Sequence, residues 1–245
     1  MKYRKELTAA YADSDVSNLL KLSAILRYMQ QTSSEHLISL EQSVEHLREK
    51  NIAFLFSKCN IKIHRNPVCS ERLIIETAAN FPVGARFIRE YVIKNPEGER
   101  LVSCHSLWVL VDTVNHKILR PNAYPYTLPW SESSLKGILD DVTIPKDLPQ
   151  NAQVRTMDQK ILYSHLDFNS HANNSAYIDF VCDSLPYDEF VSRGISTLAL
   201  SFQKEAKYGD IIKIQTMQLA PCAYKITGTN AETPCFEAYV ELNEK

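Results

Sequence analysis

The 245-residue sequence predicts an α+β protein written twice, each copy a helix followed by antiparallel strands. Three observations predict it. Five of the eleven prolines (Pro121, Pro125, Pro129, Pro145 and Pro149) fall in one stretch, which reads as a connector because proline removes a ladder donor and fixes φ. The parts on either side run in the same order, an amphipathic helix and then several strands. Two local alignments relate those parts. IKIHRNPVCSERLIIETA from Ile61 matches LSFQKEAKYGDIIKIQTM from Leu200 at an offset of 139, so that Glu71 meets Asp210, Leu73 meets Ile212, Ile75 meets Ile214 and Thr77 meets Thr216. At an offset of 152, Tyr11 and Asp15 meet Tyr163 and Asp167. The predicted organisation is 1–120, a linker over 121–152, and 153–245.

In the first copy, Lys2 to Thr8 alternates in polarity and reads as a strand. Asp13, Asp15 and Ser17 make a turn-rich entry to a helix in which Leu19, Leu22, Leu26 and Met29 recur at spacings of three and four. Ser39 with Gln42 three positions on has the form of a capping box opening a second short helix through Arg48. Strands are predicted at 52–65, 72–81, 85–94 and 100–112, with the Asn95-Pro96-Glu97-Gly98 turn between the last two. The second copy gives a strand over 154–163, a helix over 173–185 stopped by Pro186, and strands near 197–205, 210–219, 223–229 and 235–242. Each copy would wrap a curved sheet round its central helix, and two such sheets would join as a pseudo-dimer within one chain.

Composition narrows the function. Hydrophobic residues make up 44% and charged residues 23%, as in ordinary soluble domains, and 27 Lys and Arg against 29 Asp and Glu leave a net charge of −2. General attraction to nucleic acid or an anionic membrane is therefore not expected. The six glycines are never closer than fourteen positions, so neither a dinucleotide fingerprint nor a phosphate-cradling loop can be written. No two of the six cysteines form a CxxC pair, which excludes a zinc knuckle or redox motif of that kind and reads each thiol as a small buried hydrophobe. MKYRKELTAAYADSD lacks a signal-peptide apolar core, and a run such as Leu107–Val111 is too short to span a bilayer. A cytoplasmic location is the expectation.

The densest group of reactive side chains is HLDFNSHANN, His165 to Asn174, just before the second-copy helix. Asp167, Asn169 and His171 alternate, so in an extended loop all three would face one pocket. A helix start near Asn173 adds a positive dipole end. An imidazole, a carboxylate, an amide and a helix terminus suit hydrolysis through an oxyanion, although Asp and Asn before a helix commonly act only as caps. The internal comparison favours chemistry: Asn169 and His171 are matched by Ser17 and Leu19, and Glu205 by Asn66. Strict strand alternation turns Glu205 away from the Leu198, Leu200 and Phe202 face, so a bulge or strand end must aim it into the cleft.

YSHLDFNSHANNSAYIDF followed by LALSFQKEAKYGD resembles the C-terminal half of acyl-ACP thioesterases, double-hotdog enzymes of plant plastids and bacteria. YMQQTSSEHL and SLWVLVDTVNHKILRP resemble the first-half helix and Trp-containing strand of the same family. The resemblance implies a tandem hotdog fold, hydrolysis of fatty acyl thioesters of acyl carrier protein, and Asp167, Asn169, His171 and Glu205 as catalytic residues. Glu205 and His171 would hold and deprotonate water, Asn169 would anchor the thioester, and Asp167 would fix the loop and orient His171. Plant members commonly carry Cys directly after that Glu. Here the residue is Ala206, which leaves direct attack by water and no acyl-enzyme at this position. No metal or redox cofactor is implied, and the absence of a plastid transit segment fits a bacterial-type enzyme.

The acyl tail needs an apolar wall, expected from Leu22, Leu26 and Met29. An acidic carrier protein would dock on basic residues, for which Lys58 and Lys62 (with His64 on the same strand face) and Lys204 and Lys207 beside Glu205 are the candidates. Neither a nucleic-acid partner nor membrane insertion is expected, and homodimer formation is left open. The alternatives are an acyl-CoA thioesterase, a hotdog dehydratase or hydratase, and a non-catalytic acyl-binding hotdog protein.

Overall fold

The computed structural model describes residues 2–126, 142–146 and 152–244. The chain divides into two units, Met1–Asp140 and Asp141–Lys245.

Unit 1 holds β1 (Lys2–Thr8), α1 (Leu22–Ser39), α2 (Val44–Glu49), β2 (Ile52–Ile63), β3 (Arg72–Val83), β4 (Arg86–Lys94), β5 (Arg100–Asp112) and β6 (Lys117–Leu119). Its antiparallel sheet runs β1-β3-β4-β5-β2, with β6 paired to β5. Unit 2 holds β7 (Val154–Lys160), α3 (Asn174–Ser184), α4 (Tyr187–Arg193), β8 (Ile195–Phe202), β9 (Ile211–Ala220), β10 (Ala223–Asn230) and β11 (Thr233–Leu242), and its sheet runs β7-β9-β10-β11-β8. Replacing each strand of unit 1 by its counterpart in unit 2 reproduces the same order. The alignment offsets also hold in backbone detail. Glu71 takes the Val68 N–H on its carboxylate and Asp210 takes the Lys207 N–H, each three residues back.

Helix α1 lies on β1 and β3, and α3 lies on β7 and β9. α1 buries Ala24, Ile25, Leu26, Met29, Thr32, Ser33 and His36, the 3–4 spacing of one helical face. Leu19 does not belong to this helix. It forms an isolated bridge to Val68, because Asp15 captures its N–H and that of Ser17 in an Asx turn that delays the helix to Leu22. The capping box is also displaced. Ser39 ends α1, donating its hydroxyl to the His36 carbonyl, and α2 is capped by Ser43, whose N–H meets His46 Nδ1 at 3.3 Å. Pro186 stops α3 as expected but at once opens α4, an element that the apolar periodicity did not announce.

Of the connector expected over 121–152, Pro129 and Pro149 lie outside the described residues. Its described stretches 121–126 and 142–146 are each anchored by one buried side chain and otherwise lie half-buried or exposed. Tyr124 joins the core formed by Leu47, Ile52, Phe87 and Leu110 and donates its hydroxyl to Gln42, and Ile144 is buried. None of the six cysteines forms a disulfide; Cys59, Cys104 and Cys235 are buried as expected, whereas Cys69, Cys182 and Cys222 are half-buried, and burial pushes the Cys59 thiol up to about 12.

His36 is fully buried on α1, stacked on Tyr3 with ring centroids 5.2 Å apart, and its Nδ1 accepts from Arg89 Nη1 at 3.1 Å. Burial, then the Arg89 charge, push its pKa down to about 4. A histidine near 6.5 in the unfolded chain therefore binds a proton that the folded one refuses. Its neutral-state contribution is complete above pH 6.5 and is lost as pH falls from 6.5 towards 4, a change on the order of 3 kcal/mol. Urea melts of the wild type and of His36→Gln at pH 7 and pH 4.5 should show a steeper loss in the wild type; equal slopes would discount His36.

Candidate active site

Three loop segments of unit 2 meet through their backbones. Ile161 donates to the Asp210 carbonyl at 2.8 Å and accepts from Gly209 at 3.0 Å. Ala172 donates to the Ala206 carbonyl at 2.8 Å, and His171 forms an isolated antiparallel bridge with Lys207. The 167–172 segment is not the extended loop expected from its alternating polar residues. Asp167 N donates to the His171 carbonyl at 2.8 Å, Ser170 N donates to the Asp167 carbonyl at 3.0 Å, and Ser170 takes a left-handed φ of 63°. The chain turns back on itself, and Asp167 fills that turn: its Oδ1 accepts from Asn169 N at 2.8 Å and from His171 N at 3.4 Å, and its Oδ2 faces Asn169 Nδ2 at 3.4 Å. Asp167 thus orients His171 through the backbone, not through the ring.

Glu205 follows the end of β8 by three residues, so a strand end, not a bulge, frees it from the Leu198–Leu200 face. Its Oε2 lies 3.1 Å from His171 Nδ1, with the imidazole about a quarter exposed (26%) and the carboxylate about half exposed (54%). The loop that carries Glu205 is tied on both sides. Gln203 and Lys204 donate to the Cys235 carbonyl, and Ala206 N donates to the Tyr177 hydroxyl at 3.1 Å. Tyr177 is buried on α3 among Phe180, Phe202 and Phe236 at centroid distances of 5.5–5.8 Å. Burial is the main cause that pushes its phenol up to about 12, so the hydroxyl stays protonated. Ala206 is fully buried, facing away from the exposed side of the loop that Glu205 takes. The N-cap of α3 is Asn173, whose Oδ1 accepts from Ser175 N at 2.9 Å and from Ser175 Oγ at 2.8 Å.

Unit 1 builds the same frame without the reactive groups. Asp15 Oδ1 accepts from Ser17 N at 2.8 Å and Leu19 N at 3.0 Å, Asn18 takes a φ of 63°, Leu19 bridges Val68, and Leu20 N donates to the Pro67 carbonyl at 2.7 Å. The backbone pairing that brings His171 to Glu205 is therefore a property of the repeated scaffold, and only the second copy fills it with an imidazole and a carboxylate.

The other candidates are placed less tightly. Lys204 and Lys207 are exposed on either side of Glu205. Lys58 and Lys62 are half-buried on β2 and each is engaged by a neighbour; His64 is turned to Ser103 Oγ at 3.0 Å. Leu26 and Met29 are fully buried in the core, and Leu22 is half-buried at the start of α1. The apolar cavity of unit 1, about 60 Å³, lies further along α1, against Leu37, Phe54, Phe87, Ile88, Arg89 and Trp108. The sequence alone did not single out Tyr177 or this cavity, since aromatic and apolar residues at helical spacing carry the same signal whether they are core or site. Among the described residues no cluster of three or more His, Cys, Asp or Glu is placed to hold a metal ion, and no helix is long and apolar enough to cross a membrane.

Solved structures share this architecture along its whole length. An acyl-ACP thioesterase from Bacteroides thetaiotaomicron superposes with a TM-score of 0.86 at 16% identity over 99% of this chain and 98% of that one. A 12:0-ACP thioesterase from Umbellularia californica gives 0.81 at 16% identity over 100% and 98%. The protein is a double hotdog. The acyl-ACP thioesterase N-terminal domain matches residues 1–122 and the acyl-ACP thioesterase C-terminal domain matches residues 149–237. The chain belongs to the acyl-ACP thioesterase family, a family of thioester hydrolases. Among curated relatives it is 23% identical to the chloroplastic oleoyl-acyl carrier protein thioesterase 2 of Arabidopsis thaliana, over 94% of this chain and 67% of that protein. It is also 23% identical to the chloroplastic palmitoyl-acyl carrier protein thioesterase of Gossypium hirsutum, over 80% and 50%. The chain thus spans one half to two thirds of the length of these relatives.

Proposed function

We propose that this protein hydrolyses fatty acyl-[acyl-carrier-protein] thioesters to free fatty acid and carrier thiol, with Asp167, Asn169, His171 and Glu205 of unit 2 carrying the reaction. The observation that carries this reading is the 3.1 Å contact between His171 Nδ1 and Glu205 in the copy that alone contains both. Glu205 accepts the Nδ1–H and fixes the ring, which leaves Nε2 as the base toward water. Nε2 takes one proton as the water oxygen bonds to the thioester carbonyl carbon. Collapse of the tetrahedral intermediate breaks the C–S bond, and the imidazolium returns the proton to the departing sulfur. A thiol pKa of about 8.5 makes thiolate a fair leaving group, so activating water is the larger demand. Asn169 and the Asn174 N–H, at the positive end of α3, are the donors for the developing oxyanion. A single such donor is worth about 2.7–4 kcal/mol in other enzymes.

Unit 1 supplies the acyl-chain side through α1, for which Leu22, Leu26 and Met29 form the packed base. An acidic carrier docks on Lys204 and Lys207, which flank Glu205, more than on the half-buried Lys58 and Lys62. The test is hydrolysis of matched acyl chains on carrier protein and on CoA, following thiol and fatty acid release at rising salt. Preferred turnover of the carrier substrate, with a KM that rises with ionic strength, is the expected result. Equal use of CoA with a salt-insensitive KM would point to an acyl-CoA thioesterase, and stable binding without cleavage would point to an acyl-binding protein.

A further inference from the structure

Unit 1 buries a cation without an anion. Arg89 on β4 is 8% exposed, and its Nη1 donates to His36 Nδ1 at 3.1 Å and to Thr77 Oγ1 at 3.4 Å. Among the described residues no carboxylate forms an ion pair with it. A guanidinium keeps its charge inside proteins, and a buried charge is costly unless it is paired. His36, held neutral, offers an acceptor but no counter-charge. His36 Nε2 is itself buried without a hydrogen-bond partner among the described residues. Arg89 also forms part of the wall of the 60 Å³ cavity, whose remaining lining is apolar (Leu37, Phe54, Ala79, Phe87, Ile88 and Trp108) except for Ser33, whose hydroxyl donates to the Gln30 carbonyl of its own helix.

The cavity is built from the parts in which the two copies differ. α1 has 18 residues and α3 has 11, so the last turns of α1, with His36 and Leu37, have no helical counterpart in α3. The strand registers set Arg89 opposite Ala79 in unit 1 and Tyr224 opposite Gln218 in unit 2, which makes Tyr224 the counterpart of Arg89. Tyr224 donates to the Glu189 carboxylate, so unit 2 satisfies this position internally. Unit 1 places a guanidinium there and leaves its charge open toward an apolar space.

We propose that this cavity binds an apolar chain that carries a carboxylate, with the carboxylate accepting from the Arg89 guanidinium and the methylenes lying against Phe54, Phe87 and Trp108. Such a carboxylate has two sources, the head of a released fatty acid or the far end of a dicarboxylic acyl chain. The site does not depend on the His171–Glu205 chemistry, and its test involves no hydrolysis.

The experiment is calorimetric titration of the full chain with octanoate, with monomethyl octanedioate (an esterified chain with a distal carboxylate) and with 1-octanol. At least one carboxylate should bind ten or more times as tightly as the alcohol, and the tighter of the two identifies the source. Arg89→Met should abolish that preference while leaving octanol binding within about threefold. Leu37→Trp, which fills the cavity and leaves the guanidinium in place, should weaken carboxylate binding at least tenfold. Equal affinities for alcohol and carboxylates in the wild type, a preference that survives in folded Arg89→Met, or undiminished binding in folded Leu37→Trp each overturn the proposal.

Discussion

His171→Ala should lower turnover of an acyl-carrier thioester by at least about 100-fold, and Glu205→Ala by a similar factor, with KM little changed and the fold intact. The factor corresponds to about 2.7 kcal/mol of barrier, the low end of what a positioned general base contributes. The backbone around the two residues is held independently of their side chains. His171 is fixed by its bridge to Lys207 and by the Asp167 turn, and Glu205 by the neighbouring bonds of Lys204 and Ala206. Unit 1 shows that this frame forms around Leu19 and Asn66 just as well. Truncation should therefore remove chemistry without unfolding. Glu205→Gln retains an oxygen that can accept the Nδ1–H but loses the charge, so its turnover should fall between those of the wild type and Glu205→Ala. Under the proposed mechanism the pair acts as one unit, so the double alanine variant should be scarcely slower than His171→Ala alone. Near-normal turnover in folded His171→Ala would remove the imidazole from the mechanism, and strictly multiplicative losses would separate the two residues.

What could be read in advance depended on the range of the interaction. The strands were legible because their periodicity is local: β1 and β5 fall on the predicted residues, and the Asn95–Gly98 turn closes with Gly98 at a φ of 90°. The duplication was legible because it is encoded by matched positions, and the shared Asx turns, left-handed Asn18 and Ser170, and equivalent bridges show it in the backbone. Errors arose where a short polar side chain competed with the helix. Asp15 drew Leu19 into a bridge, and Ser43 rather than Ser39 capped α2. In the site, side-chain alternation brought Asp167, Asn169 and His171 to notice, but an extended loop was the wrong geometry for them. Their arrangement follows from the Asp167 turn and from the pairing of His171 and Ala172 with Lys207 and Ala206, a segment more than thirty positions away that no local pattern connects. Tyr177 and Arg89 were hidden for the same reason. Their significance lies in what stands opposite them, a loop amide in one case and the lack of an anion in the other.

Gly228→Ala should be among the most damaging single substitutions in unit 2, although Gly228 lies on β10 with no positive φ to require glycine. A Cβ at this position would fall 2.1 Å from Phe236 Cε1 and 2.5 Å from Cδ1. Phe236 is 1% exposed on β11 and packs edge-on against Tyr177 at 5.5 Å, so the ring has no free space into which to retreat. Overpacking of this kind costs about 1–3 kcal/mol, and occasionally more. For a chain of this size each kcal/mol lowers the melting temperature by about 2–4 °C. The displacement should also reach the chemistry. Pushing Phe236 moves the Tyr177 ring, whose hydroxyl holds the Ala206 N–H and with it the loop that presents Glu205 to His171. Gly228→Ala should therefore lose turnover beyond what its unfolded fraction explains, and Phe236→Leu in the same chain should recover part of both stability and rate by making room for the methyl group. An unchanged melting temperature in Gly228→Ala would show that the ring yields freely. A destabilised variant with full turnover per folded molecule would show that Tyr177 does not transmit packing to Glu205.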